Sequence, residues 1–172
     1  MTLALIAMAA FVPMVLEAIV AASHDRALRA QGAVEPADDV YGVMRFAYPV
    51  SFVAMMGEGF IRGGPPSLIL WIGIIVFVLA KGLKYWAIGT LGQRWTFRVL
   101  VPPRSNRIVR GPYRVLSHPN YVAVIAELAA VGFMTGALVA GPIATCLFEA
   151  LILARIRVEE RALAAALQSA HR

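Results

Sequence analysis

Cysteine and charge are both scarce in this chain of 172 residues. Its single cysteine, Cys146, excludes an internal disulfide, and the Cys/His spacings of a zinc or iron–sulfur site are missing. Charged residues make up 15% of the sequence, whereas a typical soluble domain has about 25%. We therefore expect no intrinsic metal centre, and the low charge argues against a soluble globular domain.

Long hydrophobic runs dominate the sequence instead. Hydrophobic residues make up 60% of the chain, and the mean hydropathy is +0.73. A helix needs about 20 apolar residues to cross a bilayer, so the chain has room for about four to six crossings and little else. These runs leave no basic platform for nucleic acid, despite the net charge of +6. The sequence predicts one all-α integral membrane domain over residues 1–172 that binds no nucleic acid.

Five apolar runs predict about five transmembrane helices. Their bounds are about residues 2–22, 43–61, 68–88, 120–134 and 141–154. No Lys or Arg precedes the first run, so we expect a retained helix and not a signal peptide. The polar residues 23–43 predict a loop, and the side chains of Lys81 and Lys84 are expected to reach water at the nearer membrane surface. An uncharged connector between the last two helices predicts a helical hairpin, after which the tail continues as a helix.

The distribution of basic residues predicts the orientation in the membrane. If five helices cross, residues 23–45, 81–118 and 155–172 share one side and hold 15 of the 16 Lys and Arg residues. Cytoplasmic loops are enriched in Lys and Arg. We therefore expect the N-terminus outside a membrane such as the bacterial inner membrane, with the Arg-rich segment and the tail in the cytoplasm.

Four carboxylates lie inside predicted helices, where an ionisable group usually marks a functional interior or a paired site. They are Glu17, Glu58, Glu127 and Glu149. Pairing with a neighbouring helix explains Glu17 and Glu58 equally well. Glu127 lies about two and a half helical turns beyond His118 and is the best candidate to line a cavity below the cytoplasmic loop. A channel or transporter subunit that moves ions past these acids is the non-enzymatic alternative.

Two proline-containing motifs precede the fourth apolar run. They read Gly111-Pro-Tyr-Arg114 and His118-Pro-Asn-Tyr121. Each proline restricts the backbone of the residue before it, so the polar side chains are expected to form a preorganised pocket at one membrane surface. A histidine at a helix start is more often a cap than a catalyst, but His118 is accompanied by several donor and acceptor side chains.

The tail begins with a further charged motif, Arg155-Ile-Arg-Val-Glu-Glu160. On a helix, Arg155 and Glu159 lie four residues apart, so one face presents a cation and a carboxylate together at the membrane boundary. Taken alone, a charge cluster just beyond a membrane helix is more often an ordinary solvated helix end, because basic residues there also bind anionic headgroups.

Together these motifs resemble the isoprenylcysteine carboxyl methyltransferase family, in particular its small bacterial members. The similarity spans about residues 85–167 and includes Leu91-Gly-Gln-Arg-Trp-Thr-Phe-Arg98 ahead of the Arg-rich loop. It implies an integral membrane enzyme whose cytosolic loop and C-terminal helix hold S-adenosylmethionine, while a lipophilic acceptor enters from the bilayer. Ser117 stands where family members commonly have Arg or Lys before His-Pro, which removes one cation.

The resemblance leaves the acceptor open. In eukaryotic relatives the acceptor is a prenylated cysteine carboxylate. Bacterial relatives also look able to methylate other lipophilic acids or enolic hydroxyls, such as long-chain polyketide pyrones. An amine acceptor, as in phospholipid N-methylation, is a further alternative and would require a carboxylate beside it.

The resemblance also implies roles for individual residues. Arg155 or Arg157 would orient the acceptor anion, and Glu159 would bind polar groups of the cofactor or act as a base. We place Glu127 together with Arg155 in acceptor binding. The residues expected to bind the cofactor are Tyr113, His118, Pro119, Asn120, Tyr121 and Glu160.

Overall fold

A computed structural model describes residues 2–102 and 108–170, with side chains as far as residue 164. Arg104 and Arg107 of the Arg-rich segment lie outside the described residues. Within these ranges the chain forms five α-helices: α1 (Thr2–Ala30), α2 (Tyr41–Arg62), α3 (Ser67–Leu91), α4 (Pro119–Thr135) and α5 (Ala140–Ala170). Two 3-10 helices, Gly92–Arg94 and Gly111–Arg114, lie between α3 and α4. The all-α class is confirmed, since an isolated bridge between Val34 and Val101 is the only strand-like pairing in the described part.

α1 extends into the residues that were expected to form a polar loop. Residues 24–30 include Ala, Arg and Leu, which favour a helix, and Leu28 is buried. The chain turns where Gly32 takes a φ of 83°, a left-handed conformation that glycine adopts without steric cost. The expected loop was therefore wrong for residues 23–30. α5 likewise continues unbroken from the apolar run into the charged tail.

Two helices in the described ranges are long and apolar enough to cross a membrane, namely α1 and the helical segment Ser67–Arg94 that contains α3. Their most apolar stretches have mean hydropathies of 2.4 and 2.0. Large apolar side chains on both are at least 60% exposed, among them Leu5, Met8, Ile19, Val78 and Leu79. Many exposed large apolar side chains on long apolar helices are typical of contact with lipid. The number of crossings, and a hairpin of α4 and α5 within the bilayer, stay predictions.

Glycines allow the backbones of α2 and α3 to lie in close contact with the backbone of α4. A Cβ atom at Gly59 of α2 would lie 2.4 Å from the carbonyl oxygen of Thr135. One at Gly73 of α3 would lie 2.9 Å from the carbonyl oxygen of Ala130. Both distances are shorter than van der Waals contact, so a larger residue would displace α4. α4 is accordingly the central helix, with Leu128 fully buried.

Glu58 closes the end of the bundle that lies farther from the polar motifs. Its carboxylate accepts hydrogen bonds from the backbone N–H groups of Val139 (3.1 Å) and Ala140 (2.6 Å). It also pairs with Arg62 at 2.6 Å. The two N–H groups lie at the start of α5, where a helix provides no acceptors of its own. Glu58 is therefore paired and caps α5.

Contrary to expectation, Lys84 is buried, and Lys81, whose side chain is 12% exposed, turns toward the same two carboxylates as Lys84. Lys84 Nζ lies 2.7 Å from Glu17 Oε2 and 3.2 Å from Glu127 Oε2. Lys81 Nζ lies 2.9 Å and 3.3 Å from the other oxygen of each carboxylate. Tyr48 donates a hydrogen bond to Glu127 and completes this buried ion cluster. The lysines face the interior because α1 and α4 each place a carboxylate at the same level of the bundle. In an apolar interior, pairing compensates the charges of the ammonium groups and of the carboxylates.

Candidate active site

A cavity of about 380 Å³ lies among the helices at the end of the bundle that carries the polar motifs. Its volume falls within the range of roughly 300–1,000 Å³ that is typical of small-molecule sites. The inner end is mostly apolar and is lined by Met14, Met44, Phe148 and Ile152, together with Glu17, Tyr48 and Lys84 of the buried ion cluster. The outer end is polar and is lined by Tyr113, His118, Asn120, Tyr121, Arg155, Glu159 and Glu160. The cavity thus joins an inner end, where apolar side chains lie beside the buried ion cluster, to a polar outer end.

The start of α4 places His118 at the outer end of the cavity. Pro119 occupies the first position of the helix, where a missing N–H is no loss and the fixed φ suits the helix. The His118 ring stacks on Tyr121, with ring centroids 5.4 Å apart. Its Nδ1 and Nε2 atoms lie 3.9 Å from carboxylate oxygens of Glu159 and Glu160, respectively. Nε2 is buried and has no hydrogen-bond partner among the residues that the structure describes, so it can bind a ligand.

Arg155 is held by hydrogen bonds on two sides. Its Nη1 donates to Asp39 Oδ1 at 3.1 Å, and its Nε donates to the Tyr121 hydroxyl at 2.9 Å. The Tyr121 hydroxyl in turn donates to Glu159 Oε2 at 2.9 Å. The result is a continuous chain of hydrogen bonds from Asp39 to Glu159, in which Arg155 is only 5% exposed.

Asp39 also binds the backbone of two other cavity walls. Its Oδ1 accepts a hydrogen bond from the Tyr41 N–H at the start of α2 (3.1 Å), and its Oδ2 accepts one from the Val99 N–H (2.8 Å). Sequence reasoning missed Asp39 because it lies in a polar segment without a recognisable motif. The only signal was its place just before an apolar helix, where Asp commonly accepts backbone hydrogen bonds.

The segment after α3 forms a side wall of the cavity and is anchored by Trp95. The residue is buried, and its Nε1–H donates to Asn120 Oδ1 at 3.4 Å. The Trp95 carbonyl accepts a hydrogen bond from His24 Nδ1 at 2.8 Å. The end of α1 therefore supports the same wall that contacts Asn120, a connection that no local motif indicates.

Ion pairs hold the connection between α1 and α2 against this wall. Arg98 Nη1 donates to Glu35 Oε1 at 2.7 Å, and Arg29 pairs with the other oxygen of Glu35. Burial alone would raise the pKa of Glu35, but the hydrogen bonds from Arg29 and Arg98 outweigh burial and hold this pKa below its usual range. The hydrogen bond to Glu35 also raises the pKa of Arg98, so both groups are charged at neutral pH.

Tyr113 lines the cavity from the 3-10 helix Gly111–Arg114. Burial raises the pKa of its phenol well above the usual range, and the negative charge of Glu159 raises it further. The hydroxyl is therefore neutral at physiological pH, and the side chain offers an aromatic face with a hydrogen-bonding group at its tip.

Seven of the candidate residues meet at the outer end of the cavity, and three do not line it. Arg157 is exposed, because two residues along a helix correspond to about 200° of rotation and turn it away from Arg155. Pro119 is buried as the first residue of α4. Glu127 faces the lysines of the buried ion cluster and not the cavity, so its expected place in the cavity lining was wrong. Lys84, which sequence reasoning placed in water, lines the inner end.

Comparison with known proteins gives one family and two relatives. A family model described as the isoprenylcysteine carboxyl methyltransferase (ICMT) family matches residues 71–165. The chain is 31% identical over 152 residues to "Uncharacterized protein YpbQ" of Bacillus subtilis, and this match covers 86% of this chain and 88% of that protein. It is 29% identical over 97 residues to "Cobalt-zinc-cadmium resistance protein CzcN" of Cupriavidus metallidurans, and this match covers 56% of this chain and 44% of that protein. The family match contains all seven candidate residues that line the cavity, whereas Asp39 lies outside it.

Proposed function

The chain belongs to the isoprenylcysteine carboxyl methyltransferase family of membrane methyltransferases, and we propose that it transfers a methyl group from S-adenosylmethionine to a lipophilic acceptor. The acceptor atom is an oxygen of a carboxylate or of an enolic hydroxyl. The strongest support is the meeting of His118, Arg155 and Glu160 at one end of a cavity whose other end is mostly apolar. Polar groups suit a water-soluble donor, and apolar walls suit a hydrocarbon chain.

The residues at the outer end fit S-adenosylmethionine, whose sulfonium carries the methyl group to be transferred. Glu159 and Glu160 supply carboxylates for its ammonium group and ribose hydroxyls, as charge-assisted hydrogen bonds require. Tyr113 supplies an aromatic face for the adenine. The buried Nε2 of His118, close to Glu160, supplies one further hydrogen-bonding atom.

Arg155 orients the acceptor oxygen in this proposal. A guanidinium has five N–H donors, and two are engaged by the Tyr121 hydroxyl and by Asp39. Because Arg155 also lines the cavity, we assign its remaining donors to binding the acceptor anion there. The hydrocarbon part of the acceptor lies against apolar side chains such as Met44 and Phe148 at the inner end.

The protein's contribution to the reaction is positioning, charge and exclusion of water. A carboxylate is ionised at neutral pH and needs no base. An enolic hydroxyl must lose its proton, and we assign its removal to Glu159, which shares the hydrogen-bond chain of Arg155. An anion then meets a cationic donor in line in a partly dry site, so orientation and desolvation supply most of the rate enhancement. No covalent bond to the protein is required.

We place the outer end of the cavity at the cytoplasmic surface of the membrane. The pair of Arg98 with Glu35 and the pair of Arg155 with Asp39 join the three basic segments at this end of the bundle. Segments rich in Lys and Arg stay in the cytoplasm. The N-terminus then lies outside, in a membrane such as the bacterial inner membrane.

Two alternatives have less support. An ion-conducting subunit would use acids within the helices. Glu17 and Glu127 are instead paired with lysines, Glu58 caps α5, and Glu149 is exposed on the surface of α5. An N-methyltransferase would bind an amine through a carboxylate. Arg155→Ala would then leave acceptor affinity unchanged and Glu159→Ala would weaken it, whereas an anionic acceptor depends on Arg155.

The test is methyl transfer to lipids. Purified protein in nanodiscs is incubated with S-adenosylmethionine carrying an isotopically labelled methyl group and with the lipid extract of cells that produce it, and labelled products are identified by mass spectrometry. We expect an O-methylated lipophilic product, which Arg155→Ala and Glu160→Ala abolish. Arg161→Ala, an exposed cation on the same helix, should retain the wild-type rate. A wild-type reaction without labelled lipid, or equal labelling by all three variants, would refute the proposal.

A further inference from the structure

The carboxylate of Asp39 is the counter-charge of Arg155. The two side chains are 3% and 6% exposed, and Asp39 Oδ1 lies 3.1 Å from Arg155 Nη1. A buried guanidinium without a counter-charge is strongly unfavourable, so the position of Arg155 depends on Asp39. Because the family match begins at residue 71, this partner comes from the part of the chain that the family model does not include.

Asp39 can act as a fixed support because its own position is set by the backbone. Oδ2 accepts from the Val99 N–H, and Oδ1 accepts from the Tyr41 N–H as well as from Arg155. The carboxylate therefore ties together α2, the side wall around Val99 and α5. On the far side of Arg155, the Tyr121 hydroxyl fixes Nε, so the guanidinium plane is held at two points.

We propose that Asp39 is a positioning residue of the methyl-transfer site, which holds the Arg155 guanidinium in the orientation that presents its remaining donors to the acceptor oxygen. This inference rests on the proposed function. Without the Asp39 charge, the guanidinium turns toward Glu159, the next carboxylate along the hydrogen-bond chain. The acceptor then keeps a cation in the cavity but loses the alignment with the methyl donor.

The informative variant is Asp39→Asn, because it keeps the shape and removes the charge. One oxygen remains, which serves either Val99 or Arg155 but not both. A displacement of about 1 Å in a reacting group lowers rates by about a hundredfold. With the lipid that the labelling experiment identifies as the acceptor, we therefore expect kcat to fall by about ten- to a hundredfold. KM for that lipid should change less than about threefold, and affinity for S-adenosylhomocysteine should be unchanged.

Asp38→Asn is the matched control. Asp38 is the adjacent residue, its side chain is 53% exposed, and its partner Arg161 is 69% exposed. The substitution makes the same change of charge in the same segment without touching Arg155. We expect wild-type kcat and KM.

A double-mutant cycle shows whether Asp39 acts through Arg155. In the R155K background, which keeps a cation but not the guanidinium plane, D39N should lower kcat by less than about threefold further. Equal losses from D39N in both backgrounds, or a D39N variant with wild-type kcat, would overturn the inference while leaving the proposed function standing. If D39N does not fold, D39E replaces it as the test, because it keeps the charge and displaces it by one methylene. The same fall in kcat is expected for D39E, with D38N again as the control. A wild-type protein that methylates no acceptor would overturn both.

Discussion

Replacing Lys84 by methionine tests the buried ion cluster. The substitution removes the ammonium group and keeps an unbranched side chain that packs well in an apolar interior. Glu17 and Glu127 are then left with Lys81 as their only lysine, where both carboxylates are at most 5% exposed. The cluster changes from neutral to a net charge of −1.

Removing one member of a buried pair leaves an uncompensated charge and costs about 3–5 kcal/mol. For a chain of this size, each kcal/mol lowers the unfolding temperature by about 2–4 °C. We therefore expect K84M to unfold about 6–20 °C below the wild-type protein. Thermal unfolding in detergent, followed by tryptophan fluorescence, measures this difference.

The double variant K84M/E127Q restores charge balance in the cluster. It should unfold at a higher temperature than K84M alone, because the second substitution removes the charge that the first leaves unpaired. Arg161→Met, at an exposed pair, should change the unfolding temperature little. A K84M protein that unfolds within about 2 °C of wild type, or a double variant less stable than K84M, would refute the reasoning.

Three further predictions concern the ion pairs at the side wall of the cavity, the packing of α3 against α4 and the orientation of the chain in the membrane. The folded-state pKa of Glu35 lies below its ordinary value near 4.5. Its ion pairs therefore stabilise the fold above pH 4.5, and this stability is lost as the pH falls through the folded-state pKa. In unfolding scans at different pH values, Glu35→Gln should reduce this acid-dependent loss of stability. Gly73→Ala should lower the unfolding temperature, whereas Gly82→Ala on the same helix, where nothing lies within 4 Å, should not. In a Cys146→Ser background, Gln31→Cys should react with a membrane-impermeant maleimide only from the cytoplasmic side, and Leu138→Cys only from outside.

The helical class and most of the candidate site could be predicted from the sequence because their signals are local. Apolar run lengths indicate the helices, and the motifs around His118 and Arg155 each lie within a few residues. Seven residues named on that basis meet in the cavity. Arg157 was included because the motif does not indicate which of two arginines faces inward, and only the rotation of α5 separates them.

What could not be predicted depends on partners distant in sequence. Lys84 was expected in water because it lies late in its apolar run, where a lysine side chain can reach the nearer membrane surface. Its partners Glu17 and Glu127 lie on other helices and gave no local signal. Asp39 was missed because its segment has no recognisable motif and its partner Arg155 lies 116 residues further along the chain. Pairing between helices decides where a charged side chain goes, and a single sequence does not show which helices pack together.

Titration calorimetry with S-adenosylhomocysteine tests the central claim most directly, because it asks whether the outer end of the cavity binds the cofactor without requiring the acceptor. The wild-type protein in detergent should bind S-adenosylhomocysteine, and Arg161→Ala should bind it with the same affinity. His118→Ala and Glu160→Ala should weaken binding by about tenfold or more, because a hydrogen bond to a charged group contributes about 1.5–3 kcal/mol. No heat of binding to the wild-type protein at millimolar ligand, or affinities that are the same in all four proteins, would contradict the account.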